Sequence, residues 1–143
     1  MAAQNESLIG LVEVPKEQAQ VMLETGYMYM EMGDFKAAEE VFLGCAALLP
    51  RSEVPQLGLG HLFVSQERWN DAESAYNKAL ELRPESAEVH AFLGEAYLLQ
   101  GKGDQAVPFL EKAKQLDQND PPAASELAQS LLEAHSQGVF SRS

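Results

Sequence analysis

Cysteine and positive charge are both scarce in this chain. Its 143 residues include one cysteine, Cys45, which excludes an internal disulfide and any zinc site built on paired cysteines. Ten basic residues face 22 acidic ones, for a formal net charge of −12 at pH 7. A surface of that sign repels nucleic-acid phosphates and anionic lipid headgroups, so nucleic acid is not an expected partner. It aids solubility and favours partners that carry positive charge, or apolar partners in need of a soluble escort. No apolar run approaches the ~20 residues that span a bilayer, so no membrane insertion is expected. Met1–Ser7 holds no basic residue and includes Glu6, so it does not read as a secretory or mitochondrial targeting segment. A reducing cytoplasm is the expected location.

Motifs that carry chemistry are missing as well. There is no HExxH, Walker loop, CxxC or GxSxG. Gly58-Leu59-Gly60 sits inside a helical pattern with no strand before it, so it is not a dinucleotide loop. Gly101-Lys102-Gly103-Asp104 reads as a turn between helices. His61, His90 and His135 are dispersed; His61 and Glu95 could meet across neighbouring helices, but packing explains both without metal or acid–base chemistry. The sequence therefore predicts no catalytic residue, no metal and no cofactor: a non-enzymatic protein.

What is present is a repeat. Pro50 and Pro84 are 34 residues apart, and the next step falls on Gln118, just before Pro121 and Pro122. The same offset aligns Gly26, Gly60 and Gly94; Tyr29, Phe63 and Tyr97; Ala38, Ala72 and Ala106; and Phe42, Tyr76 and Leu110. It also aligns Cys45, Ala79 and Ala113, then Leu48, Leu82 and Leu116. Cys45 thus stands in a column of small residues, which predicts a buried structural thiol.

Each unit reads as two helices, because apolar residues recur at spacings of three and four. Breakers divide them at Gly33-Asp34-Phe35, Glu67-Arg68-Trp69-Asn70 and Gly101-Lys102-Gly103-Asp104. Asp34, Asn70 and Asp104 are the expected caps of the second helices; Ser52 and Ser86 cap the following first helices. Pro55 falls in a first turn, where no N–H is needed. Asp120 before Pro121 predicts a last helix over about Pro121 to His135. The glycine column lets two helices cross closely, with the aromatic three residues later filling the space beside the crossing. No unit can bury its apolar faces alone, so the units must stack and be capped, here by the last helix with Leu127, Leu131 and Leu132.

The ordered glycine, aromatic, alanine, aromatic, alanine and proline columns at this period resemble the tetratricopeptide repeat family, over about Ala19 to Asp120. The resemblance implies an all-α fold: a right-handed superhelix of three repeats (about 19–52, 53–86 and 87–120) with a C-terminal capping helix at 121–135. An apolar N-terminal segment, 1–14, would precede it and a frayed tail, 137–143, would follow. The third unit departs furthest, with Gly103 at an aromatic position, Gln118 at the proline position and Pro108 early in its second helix. It is expected to be the least stable.

The resemblance also implies that the first helices line a concave groove. Carried over position by position, the groove would comprise Gln20, Leu23, Tyr27, Met30 and Glu31, then Val54, Leu57, His61, Val64 and Ser65, then Glu88, Ala91, Glu95, Leu98 and Leu99. A third to a half of the apolar members are expected only to pack repeat against repeat. The surface is apolar with an acidic fringe, suited to an apolar protein or peptide segment carrying some Lys or Arg. The stretch Leu8-Ile9-Gly10-Leu11-Val12-Glu13-Val14 leaves open a short helix on the first repeat, a homodimer or heterodimer, or occupancy of a groove.

Small size, acidity and three repeats with short flanks also resemble the chaperones of bacterial type III secretion systems that escort translocator or needle subunits. Pro55-Gln-Leu-Gly-Leu-Gly60 followed by Ala72-x-x-x-Tyr76-x-x-Ala79 is similar to the middle of that group. The implied function is sequestration of an apolar segment of a secretion substrate in the groove, without nucleotide. The alternative is a constitutive adaptor that stays in a multiprotein assembly. The best-known groove of the wider family grips a C-terminal carboxylate with lysines, arginines and asparagines. None of those residues occurs at the groove positions here, so titration calorimetry with a free EEVD-type peptide should show no tight binding.

Overall fold

The computed structural model describes residues 14–141. Seven helices follow one another, with no strand among the described residues: α1 Lys16–Glu31, α2 Phe35–Leu48, α3 Val54–Ser65, α4 Trp69–Leu82, α5 Ala87–Leu99, α6 Gly103–Leu116 and α7 Ala123–Ser136. They pair as hairpins α1–α2, α3–α4 and α5–α6. The hairpins stack through α2–α3 and α4–α5, α1 also touches α3, and α7 packs on both α5 and α6. The apolar N-terminal segment, apart from Val14, lies outside the described residues, and so does the dimer contact expected of it.

Each hairpin turn uses the same backbone device. Two residues past the end of each first helix comes a residue of positive φ: Gly33 at 80°, Glu67 at 57° and Gly101 at 76°. The next N–H then reaches back to the aromatic column, as Asp34 N to Tyr29 O (2.9 Å), Arg68 N to Phe63 O (2.8 Å) and Lys102 N to Tyr97 O (2.9 Å). This satisfies a carbonyl that a helix end would otherwise leave free. The second turn repeats the geometry without glycine, so Glu67 carries the strain of the left-handed region.

Because the turn is copied, the capping position is copied too. It falls on Asp34, Arg68 and Lys102. Only Asp34 can use it, accepting from Ala37 N at 3.1 Å. The expectation that Asn70 and Asp104 cap α4 and α6 is therefore corrected: both lie inside the first turn, and no side chain caps either helix. Ser86 caps α5, accepting from Val89 N at 3.3 Å. Ser52 falls one residue before the cap position of α3, which Glu53 holds without a side-chain bond, though it accepts from Val54 N at 3.2 Å. Pro55 occupies the first turn of α3.

The last helix starts at Ala123, two residues later than expected, and Asp120 does not cap it. Asp117 serves that end instead, its carboxylate accepting from Ser125 N (2.8 Å) and Asn119 N (3.0 Å). Those two N–H groups hold Asp117 below the usual carboxylate range. The tail expected to fray is folded as far as Phe140. Gly138 turns at φ 80°, Val139 N bonds Ala134 O at 3.0 Å, and Phe140 packs on the cluster built around Leu98 and Leu110.

The repeat columns meet in the core. A Cβ on Gly26 would lie 2.7 Å from the Phe42 ring, one on Gly60 2.2 Å from Tyr76 and one on Gly94 2.4 Å from Leu110. Each of these three glycines thus admits the large residue of its own second helix, while Gly58 of α3 admits Phe42 of the preceding hairpin. Beside the crossings stands the aromatic column: Phe63 is buried in the core, and Tyr29 and Tyr97, half-buried, pack against it. Ala38, Ala72 and Ala106 are fully buried in the same crossings. Gly103 has its own use, since a Cβ there would lie 2.2 Å from the ring of His135. A histidine from α7 thus occupies the place where the first two units put Phe35 and Trp69.

Two glycines separate packing from propensity. Gly60→Ala pushes into a ring held on all sides and should lower stability by about 1–3 kcal/mol. Gly44 is exposed within α2 with nothing near its Cβ position, so Gly44→Ala should raise stability by about 0.5–1 kcal/mol. Urea denaturation of the two variants measures both, and equal effects would overturn the packing role of Gly60.

Candidate binding groove

The three inner helices carry few charges. No charged residue occurs in α3, α5 holds only Glu88 and Glu95, and the single basic residue of α1 is Lys16 at its first position. The stacking places residues 34 apart side by side. The Tyr27 hydroxyl and His61 Nδ1 are 3.1 Å apart, linking α1 to α3. Phe92 of α5 stands edge-to-face on His61, with ring centroids 4.5 Å apart and planes at 86°. Tyr76 of α4 closes the floor, 6.0 Å from His61 and 6.3 Å from Phe92. Tyr27 in turn sits edge-on to Phe42 at 5.1 Å. An aromatic seam therefore runs across the first two hairpins into the third.

Burial sets the electrostatics of this seam. It pushes the Tyr27 phenol and the Glu95 carboxyl up and the His61 imidazole down. Tyr76 is pushed up too, first by burial and then by the negative charge of Glu95. His61 Nε2 is buried with no hydrogen-bond partner. A phenol donating to Nδ1 leaves the ring proton on Nε2, and the reverse arrangement leaves Nε2 a bare acceptor; either way that nitrogen is unmatched.

The groove positions expected from the sequence divide into two sets. Leu23, Tyr27, Met30, His61, Val64 and Glu95 are half-buried, and Glu31 and Glu88 are exposed. Leu57, Ala91 and Leu98 are 7%, 0% and 1% exposed and offer no side chain to a partner. Their assignment to the binding surface is corrected. Leu57 belongs to the core cluster that runs from Ala38 and Phe42 of the first hairpin to Val89 and Leu93 of the third. Ala91 and Leu98 lie in a cluster with Ala128 of α7, because α7 packs on α5 as a further first helix would.

Phe92 was not among the expected groove residues. Its column reads Glu24, Gly58, Phe92, so an aromatic replacing a small or polar residue was the signal. A second surface also went unforeseen: Val21, Met28 and Met32 are 60%, 59% and 73% exposed along one side of α1. The remaining histidines are structural. His90 Nδ1 donates to Ser86 O at 2.7 Å, and His135 fills the Gly103 site. Cys45 is fully buried and burial pushes its thiol up, which disfavours the reactive thiolate. No group of three or more potential metal ligands assembles among the described residues, and no described helix is long and apolar enough to cross a membrane.

Stacked helical hairpins with a shared inner face define a helical-repeat protein, and the repeat can be named. Family models described as tetratricopeptide repeat match residues 19–49 and 57–121, and the chain belongs to that family. Its fold is the right-handed superhelix of solved tetratricopeptide proteins. It superposes on the type III secretion translocator chaperone SycD of Yersinia enterocolitica with a TM-score of 0.74 at 19% identity, covering 86% of this chain and 95% of that one. SycD solved with a peptide of the translocator YopD gives 0.71 at 21% identity, covering 86% and 95%. PcrH from Pseudomonas aeruginosa gives 0.74 at 21% identity, covering 87% and 96%. Among curated sequences, the human protein O-mannosyl-transferase TMTC1 is 26% identical over 110 residues, 77% of this chain but only 12% of that protein.

The seam makes a pH prediction. Folded His61 resists protonation, whereas the unfolded chain takes up that proton near pH 6.5. Below that pH the unfolded state binds more protons, so stability falls as the pH drops from 6.5 towards the lower folded value. Glu95 acts with the opposite sign, because its raised carboxyl gains a proton in the folded state first as the pH falls. Chemical denaturation at about pH 7 and about pH 5.5 should show a steeper loss for the wild type than for His61→Phe. Parallel profiles would mean that His61 is not buried as described.

Proposed function

We propose that this protein is a chaperone-type binding protein that holds an apolar segment of a type III secretion substrate in its concave groove. The observation that carries the reading is mutual coverage. The superposition on translocator chaperones takes in 86–87% of this chain and 95–96% of theirs. The chemistry of the groove supports it. Tyr27, Met30, His61, Val64 and Phe92 give a half-buried apolar surface with adaptable and aromatic members. The absence of basic residues suits an apolar segment that carries Lys or Arg, and the charge of −12 keeps the complex soluble. The cytoplasm, where a secretion substrate waits before export, is the compartment this function requires.

A permanent adaptor is the rival reading, favoured by the match to a short stretch of a far longer human protein. Affinity capture from the native organism, with each partner identified and then co-expressed, separates the two. A chaperone should turn an otherwise insoluble partner soluble and be absent from the exported material, whereas an adaptor should remain in the final assembly. Met30→Glu and Val64→Glu should each weaken capture at least tenfold with the thermal unfolding of the chain little changed. Leu57 is unsuitable for such a test, because a charge at a core position unfolds the chain. Unchanged capture by both variants would move the site off the concave face.

A further inference from the structure

Glu95 is the one carboxylate on the inner helices that the fold both half-buries and leaves without a counter-charge. Glu31 and Glu88 are exposed to solvent. The ion pairs among the described residues join Arg68 to Glu39 and Asp71, and Arg83 to Glu53; none reaches Glu95. Taking a carboxylate partly out of water without a cation is costly, and a fold that retains one has left an electrostatic need unmet. The neighbouring His61 Nε2 is a second unmet polar atom. Phe92 precedes Glu95 by about one helical turn on α5 and stands edge-to-face on His61, and the Tyr27 hydroxyl meets His61. These half-buried rings can flank the methylenes or the cationic head of a long side chain.

We propose that Glu95, with His61 and Phe92 beside it, is the anchor for a lysine or arginine side chain of the segment held in the groove. The inference rests on the groove reading above and sharpens it. The occupant is an apolar segment with a basic residue at one defined register, rather than apolar sequence in general. Charge complementarity is the ground for that choice: α3 offers no charge, and the only charges of α5 are Glu88 and Glu95. Glu88 is free to solvent, where an ion pair is worth little. Glu95 is partly out of water, where the same pair is worth more. A bound cation would also lower the Glu95 carboxyl from the raised position that burial gives it.

The test uses a phage-displayed library of random peptides at physiological salt, selected on the full chain and on Glu95→Gln, Glu88→Gln, Glu95→Lys and Met30→Glu. Peptides taken by the wild type should carry a Lys or Arg among apolar residues. Replacing that residue by norleucine should weaken binding to the wild type about tenfold and change binding to Glu95→Gln little, a coupling that a general acidic field cannot produce. Glu88→Gln should bind the same peptides nearly as the wild type does, and Glu95→Lys should select acidic peptides instead. Carboxyl NMR should show Glu95 titrating at lower pH once such a peptide is bound. Equal losses in Glu95→Gln and Glu88→Gln, or no basic residue at a fixed register, would overturn the anchor while leaving the groove in place. Peptides that bind Met30→Glu as tightly as the wild type, or a library that returns none, would overturn the groove reading and the anchor with it.

Discussion

The structure depends on the close approach of the two helices in each hairpin. It is made where a glycine on the first helix faces a large residue on the second: Gly26 against Phe42, Gly60 against Tyr76, and Gly94 against Leu110. The missing Cβ lets a ring or a leucine lie against the backbone of the opposite helix. That contact fixes the crossing, and the crossing turns the first helices so that their other sides form one continuous inner face. A side chain at any of these glycines would have to push on a buried residue with nowhere to go. The chain tolerates change elsewhere: Glu67 replaces a turn glycine, and two second helices have no capping side chain.

The groove inherits its character from this stacking. Because the units repeat, Tyr27, His61 and Glu95 occupy equivalent places on successive helices. The first two are close enough to hydrogen-bond, while the third remains without a cation. The same stacking makes α7 behave as the start of a fourth unit, closing Ala91 and Leu98 into the core. The open part of the groove is therefore limited to the first two units and the beginning of the third. Half-buried apolar and aromatic residues stand there beside an unsatisfied imidazole nitrogen.

Much of this was legible in the linear chain. The period, the seven helices, the buried Cys45 and the lack of catalytic motifs follow from columns and spacings, since identical units in identical surroundings select the same residue types. Local chemistry misled where the repeated backbone overrode it. Asn70 and Asp104 look like caps by residue type, yet the copied turn puts the capping place on Arg68 and Lys102. Asp120 looks like the cap of the last helix, yet Asp117, earlier in the chain, reaches the free N–H of Ser125. Phe140 looks like part of a loose tail, yet the turn at Gly138 returns it to the third hairpin.

The sequence by itself determined the architecture, because a 34-residue period with glycine and alanine at matched positions admits one way of packing hairpins. It also determined the sign of the groove, since no lysine, arginine or asparagine stands at the positions that face inward. Only the tertiary structure decided which of those positions remain open. Leu57, Ala91 and Leu98 have the right spacing and the wrong neighbours, while Phe92 has the wrong column and the right ones. Spacing tells which side of a helix a residue is on; exposure depends on what another helix, distant in the chain, brings against that side.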